Sequence, residues 1–145
     1  MAIRRDLHNN VDVVTIIPPV AVGTTGVGQT GAVIDLLNYS SCEIVVGVGA
    51  ITATGAVITP VVKDGEATGS LTSVADTWLL GTEANAGVGA TATRVDGVSE
   101  NVVGRLGYVG INRYLSVDVS STVTAGTPVY VNAILHRARV TPVAT

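Results

Sequence analysis

Aromatic residues, lysine and cysteine are scarce in this sequence. Its 145 residues include no phenylalanine, one tryptophan, four tyrosines, one lysine and one cysteine. The lone Cys42 excludes an internal disulfide and a cysteine metal cluster, and its apolar neighbours predict a buried thiol. Small-molecule sites are usually lined by aromatic and convergent polar groups. The scarcity of such groups argues against an enzyme.

Charged residues are also few, at 13% of the chain with a net charge of −3. A chain without a basic stripe cannot neutralise many phosphates, so nucleic acid is not expected as a partner. No apolar run reaches the length of a membrane span. The segment from Met1 to Asn10 has two arginines but no apolar stretch of signal-peptide type behind them. We therefore expect neither a membrane partner nor export.

Valine, isoleucine, threonine and glycine dominate what remains. Hydrophobic residues make up 47% of the chain, and it contains 17 glycines. Branched side chains favour strands, and regularly spaced turn residues favour short ones. The composition predicts an all-β protein, a single-domain β-sandwich or barrel of about eight short strands with one short helical turn. We predict an N-terminal arm at 1–10, a β domain at 11–136 and a C-terminal tail at 137–145.

Strands are predicted wherever apolar residues alternate or run between turn residues. Pro60 suggests that its strand lies at a sheet edge, and glycines at 47 and 49 leave room for a bulky side chain. The predicted strands are Val11–Ile17 (ended by Pro18-Pro19), Ala32–Leu37, Cys42–Ile51, Ala56–Lys63, Asn101–Val109, Arg113–Val119 and Pro128–Leu135. We also predict a loop at Gly23–Gly31 and a tight charged turn at Lys63–Glu66. The segment Thr82–Ala92 is predicted to be a mobile loop or a weak edge strand.

The segment Ser73–Leu80 is the predicted helical piece. Ser73 with Asp76 three residues later resembles a capping box, and Gly81 would end the helix. Trp78 is predicted to fill the core, as a single tryptophan in a small β domain usually does. Stacking of Trp78 on a ligand is the alternative.

The stretch Gly107–Val119 is predicted to form a central hairpin with a polar, aromatic corner. From Leu115 onwards, apolar and polar residues alternate, as in a half-buried strand. Tyr108 and Tyr114 flank the glycine turn, and Arg113 lies beside them. Arginine and tyrosine are favoured at interface hot spots, although an Arg–Tyr stack that only stiffens the hairpin fits equally well.

No motif for catalysis, metal binding or a cofactor is present. The glycine-rich stretch GTTGVGQTG lacks the Gly-Lys-Ser/Thr ending of a phosphate-binding loop. His8 and His136 have no acidic or histidine neighbours at metal-ligand spacing, and no Gly-x-Ser-x-Gly elbow occurs. The acidic residues are predicted to lie in turns or on solvent faces. We therefore expect no catalytic residues, no metal and no cofactor.

Several segments resemble a group of small proteins encoded among tailed-phage structural genes. They are the strand from Tyr39 to Thr52, the Pro-Val-Val-Lys-Asp-Gly segment, Val-Ala-Asp-Thr-Trp-Leu-Leu-Gly at 74–81 and, most specifically, Gly-Tyr-x-Gly-x-x-Arg-Tyr from Gly107. The resemblance covers about Asn38 to Val119. It implies a small all-β virion protein, and within that group a capsid decoration (cement) protein made in the host cytoplasm and carried on the capsid surface.

The resemblance further implies two protein partners, the major capsid protein and a second or third copy of the chain itself. The residues expected at these interfaces are Arg4, Arg5, Tyr108, Arg113, Tyr114, His136, Arg137 and Arg139. A tail or head–tail connector component is an alternative role. A carbohydrate- or receptor-binding β module, and a hydrolase on a β scaffold, are the alternatives outside this group.

Overall fold

The computed structural model describes residues 7–8, 10–22, 26–50, 57–86, 101–122 and 126–136. Ten strands, a single α-helical turn and a 3₁₀ turn lie in these ranges. They are β1 (Val11–Val22), β2 (Gly26–Gln29), β3 (Ile34–Asp35), β4 (Ser41–Val48), β5 (Ile58–Gly65), β6 (Thr72–Ser73), the 3₁₀ turn (Asp76–Trp78), β7 (Leu79–Leu80), α1 (Glu83–Ala86), β8 (Val102–Tyr108), β9 (Tyr114–Ser121) and β10 (Thr127–His136).

The strands form two antiparallel sheets. We call the sheet with strand order β1-β10-β4-β8-β7 sheet A, and the sheet with order β2-β9-β5-β6 sheet B; β3 also pairs with β9. The inward faces of the two sheets share one hydrophobic core. The predicted all-β class is thereby confirmed, as a β-sandwich with ten short strands rather than about eight.

Two central strands of sheet A have the alternation that the sequence predicts. In β4, Cys42, Ile44, Val46 and Val48 are buried, and in β10 every second residue from Val129 to Leu135 is buried. Side chains two apart point to the same face of a strand, so these residues line the core. A Cβ added to Gly47 would overlap the Tyr130 ring, which confirms the predicted space for a bulky side chain.

The first strand is longer than predicted, because β1 passes through Pro18-Pro19. Its pairing with β10 is irregular between Thr15 and Ile17 and between Ile17 and Val20. These irregularities absorb the prolines, which have no N–H for the ladder. Because β1 is an edge strand, the side of β1 that faces away from β10 needs no hydrogen-bond partner in the sheet. Pro60 fits the same rule, since β6 pairs only with the opposite end of β5.

The predicted hairpin of β8 and β9 is wrong. β8 pairs with β4 and β7 in sheet A, whereas β9 pairs with β2, β3 and β5 in sheet B. The five residues from Val109 to Arg113, which we call the corner, therefore carry the chain from one sheet to the other.

Four local predictions differ from the structure in their bounds or in the type of element. Lys63, Asp64 and Gly65 belong to β5, and the charged turn begins at Glu66. The predicted helix is a 3₁₀ turn between two short strands, and its first flanking residue is Ala75, which provides no side-chain cap. Part of the predicted glycine loop is strand β2, and the strand predicted at 32–37 shortens to β3.

The described strands begin at Val11 and end at His136. The predicted arm and tail lie outside the described residues, except for Leu7, His8 and Asn10. The backbone N–H groups of Asn10 and Val11 both donate to the Leu7 carbonyl, which forms a turn before β1. None of the helices in the described ranges is long and apolar enough to cross a membrane.

Candidate functional site

The corner is anchored to both sheets by backbone hydrogen bonds. The Val109 N–H donates to the Trp78 carbonyl at 2.9 Å, and the Leu36 N–H donates to the Arg113 carbonyl at 2.8 Å. The first bond joins the corner to the 3₁₀ turn, and the second joins it to the residue after β3. The corner is therefore held at both ends although it has no regular structure of its own.

Tyr108 supports the corner from inside the protein. It is only 5% exposed, and its hydroxyl donates to Asp64 Oδ2 at 2.6 Å. Because Tyr108 lies in sheet A and Asp64 in sheet B, this bond bridges the two sheets. Burial raises the pKa of Tyr108, and the hydrogen bond to the Asp64 carboxylate raises it further. Tyr108 is thus not available as a surface contact, contrary to its predicted interface role.

Arg113 and Tyr114 are partly exposed at the end of the corner. The Arg113 guanidinium binds Asp35 through two hydrogen bonds, of 2.6 and 3.0 Å. Its central carbon lies 4.9 Å from the centre of the Tyr114 ring. The hydrogen bonds from Arg113 lower the pKa of Asp35. A bidentate pair and a stacked ring fix the planar guanidinium in one orientation, so this part of the surface is preorganised.

Large apolar side chains surround the corner, and we call them the apolar rim. Ile111 is 85% exposed, Leu37 is 50% exposed, and Val109 and Trp78 are each 45% exposed. Trp78 is therefore not the predicted core residue. The sequence analysis missed the other three, although Ile111 stands between Gly110 and Asn112 at the tip of a turn. An apolar residue at the tip of a turn was the feature of the sequence that indicated an exposed apolar side chain.

An open groove of about 550 Å³ lies between the corner and the segment that connects β3 to β4. Its floor includes the buried Cys42, and burial raises the pKa of that thiol to about 12. Tyr39 closes one side and donates from its hydroxyl to Asp12 at 2.9 Å. The groove is lined by Leu36, Leu37, Tyr39, Ser40, Ser41, Cys42, Tyr108, Val109, Gly110, Ile111, Asn112 and Arg113.

His136 ends β10 near the same groove. Its Nδ1 atom lies 3.5 Å from the Ser41 hydroxyl, and Ser41 is one of the lining residues. The structure thus brings Arg113, Tyr114 and His136 to one end of the sandwich. The other predicted contacts, Arg4, Arg5, Arg137 and Arg139, lie outside the described residues.

Two carboxylates expected on solvent faces are buried. Asp64 is bound to Tyr108, as described above. Asp118 pairs with the Lys63 ammonium and accepts the Gly31 N–H at 3.2 Å. Each of these carboxylates is occupied by a structural partner. Within the described ranges, no group of three or more His, Cys, Asp or Glu side chains could hold a metal ion together.

The corner and the apolar rim combine exposed apolar side chains with an ion pair between Arg113 and Asp35, whose charges neutralise each other. No model of a known protein family matches the chain, and no curated protein matches it.

Proposed function

We propose that this chain is a structural protein of a tailed-phage virion that binds the major capsid protein shell as a decoration (cement) protein. The observation that carries the proposal is the apolar rim at one end of a rigid sandwich. Exposed apolar side chains around an oriented arginine are typical of interface hot spots. The sequence resemblance supplies the identity of the partner.

The stabilising mechanism is mechanical. A bound copy removes the rim from water, and about 25 cal/mol is gained for each Å² of apolar surface buried. Many copies bound to adjacent capsid subunits add their contributions over the whole shell, so each contact can be weak. The fixed Arg113 side chain lowers the entropy lost on binding, because its rotamer is already set.

Copy number in purified particles tests the role directly. We expect hundreds of copies per particle by quantitative mass spectrometry, in proportion to the major capsid protein. A few copies would identify a tail or connector component instead. Particles that lack the chain should lose their DNA at lower temperature and under milder osmotic shock. Equal resistance of complete and depleted particles would contradict the cement role.

Ile111→Asp tests the apolar rim. The substitution places a charge at the most exposed apolar position of the corner, so binding to depleted particles should weaken about tenfold. Sedimentation with particles over a range of protein concentrations measures this change. Ala50→Asp is the matched control, since Ala50 is exposed and follows the far end of β4. Equal affinity of the two variants would remove the rim from the capsid contact.

A carbohydrate-binding module is the second candidate, and exposure of Trp78 is the observation that favours it. Aromatic rings commonly stack on apolar faces of ligands. The chain has a single tryptophan, so its fluorescence reports on this one position. A shift of the emission during glycan titration would support the carbohydrate reading. An unchanged spectrum across a glycan panel would reject it.

A further inference from the structure

The outer face of sheet A is broad, exposed and mostly apolar. Strand pairing places its side chains in rows that cross the sheet. There are three central rows. The first contains Val13, Ile134, Glu43, Gly107 and Leu80. The second contains Thr15, Asn132, Val45 and Arg105, and the third contains Tyr130, Gly47 and Val103. Val13, Leu80 and Val103 are each about 60% exposed (59%, 64% and 64%).

The outer face of sheet B is different. There Ser116 and Asp118 are buried, and both form hydrogen bonds with the backbone of Gly31, which lies between β2 and β3 beside β9. Lys63 covers Asp118 from the neighbouring strand. Within the described ranges, large apolar side chains are exposed on the outer face of sheet A, whereas two polar side chains are buried on the outer face of sheet B.

Charge on the outer face of sheet A is balanced. Among the described residues, Glu43 and Arg105 are the charged side chains of its central rows, and they lie 3.7 Å apart. Arg105 is 81% exposed and Glu43 is 36% exposed, so the pair remains open to a partner. His136 lies beside Ser41 and Val11 in the row at one border of this face.

Glycines make this face flat. Leu80 lies against Gly107, and Tyr130 covers Gly47. A Cβ on Gly47 would overlap the Tyr130 ring, and a Cβ on Gly107 would make a tight contact of 3.1 Å with Leu80 Cβ. Flat sheet faces pack against each other at about 10 Å separation, with side chains interdigitating across the contact.

We infer that this face binds the same face of a second copy in a twofold-symmetric dimer. A twofold axis that lies in the contact plane and passes between Glu43 and Arg105 places each residue over its opposite in the partner copy. Glu43 of each copy therefore faces Arg105 of the other copy. Because the two charges of a face cancel, the face has no net attraction to a charged surface. The inference is independent of the proposed capsid role.

The size of the face agrees with a weak, reversible dimer. The five strands of sheet A have a mean length of about eight residues, so at a spacing of ~4.8 Å and a rise of ~3.3 Å per residue the face spans roughly 600 Å² per copy. Two copies would then bury roughly 1,200 Å², at the lower limit for specific complexes. We expect the fraction of dimer to rise with protein concentration, with a limiting mass twice the 14.7 kDa of the chain.

Charge reversal tests the symmetry of the contact. Glu43→Arg gives a face with two positive groups, and Arg105→Glu gives a face with two negative groups. Each variant should be monomeric by light scattering, because like charges face each other across the axis. An equimolar mixture should recover the dimer, since each face then meets its complement. The intramolecular pair is absent in both variants, so recovery reports only on contact between chains.

Val103→Arg provides a second, independent variant. It should weaken dimerisation at least tenfold, whereas Val33→Arg should leave it unchanged, because Val33 lies outside sheet A and is also exposed. Circular dichroism confirms that each variant is folded. The inference is overturned if the native chain stays monomeric at its highest soluble concentration, if its mass is that of a trimer, or if the dimer persists in folded Val103→Arg. Binding to particles is measured in a separate experiment, so failure of the dimer inference can be distinguished from failure of the capsid role.

Discussion

Replacing Lys63 with Met is expected to lower the free energy of unfolding by about 3 kcal/mol, because the substitution leaves the buried Asp118 carboxylate without its cation. The Asp118 side chain is 9% exposed, and Lys63 is 34% exposed. After the substitution, the Gly31 N–H is the remaining described donor to that carboxylate. Urea denaturation followed by circular dichroism measures the change.

Two further variants separate lost charge from lost packing. Lys63→Arg keeps the positive charge and should retain most of the stability. The double variant Lys63→Met with Asp118→Asn removes both charges and should be more stable than Lys63→Met alone. If the double variant is instead less stable by the sum of two independent losses, the two side chains are not coupled in the way described.

Replacing Tyr108 with Phe is expected to lower the free energy of unfolding by about 2 kcal/mol near neutral pH. The change removes the hydroxyl that donates to the buried Asp64 carboxylate, and such charge-assisted bonds contribute about 1.5–3 kcal/mol. The ring itself is retained, so packing changes little. Chemical denaturation at pH 7 measures the loss. Tyr130→Phe is the control, because Tyr130 lies on the outer face of sheet A.

The loss of stability in this variant is expected to become smaller at alkaline pH. The folded chain holds the pKa of Tyr108 above its ordinary value of 10.0. Above pH 10 the unfolded tyrosine releases its proton while the folded one keeps it, so native stability declines as pH rises. Phenylalanine has no proton to release. The gap between the native chain and Tyr108→Phe should therefore narrow above pH 10; a constant gap would contradict the buried state of this hydroxyl.

The hydrophobic pattern was sufficient to predict which faces of β4 and β10 line the core. The turn residues at the corner were not sufficient to predict which strands β8 and β9 pair with. Alternation in β4 and β10 correctly identified the inward faces, since it reflects burial directly. The glycines around Val109 indicated a sharp change of direction between two strands. A sharp turn allows the strands either to pair or to enter different sheets, and only long-range contacts such as Asp64 with Tyr108 decide between them.

The candidate site was predicted in part. Arg113 and Tyr114 lie partly exposed at the corner, as the Arg-Tyr pattern suggested. Tyr108 was assigned to an interface because tyrosine is favoured at interface hot spots, but its hydroxyl has a buried partner that is 44 positions away in the sequence. Trp78 was assigned to the core from residue type alone. Its exposure follows from the 3₁₀ turn, which buries none of its residues.

The two adjacent prolines in β1 also restrict how copies can join. An exposed sheet edge with a full set of N–H groups invites strand after strand from other molecules, and the result is a fibre without a defined end. Pro18 and Pro19 provide no N–H donors in β1, the edge strand of sheet A, and the pairing beside them is irregular. The prolines therefore disfavour ribbon-like growth along this edge.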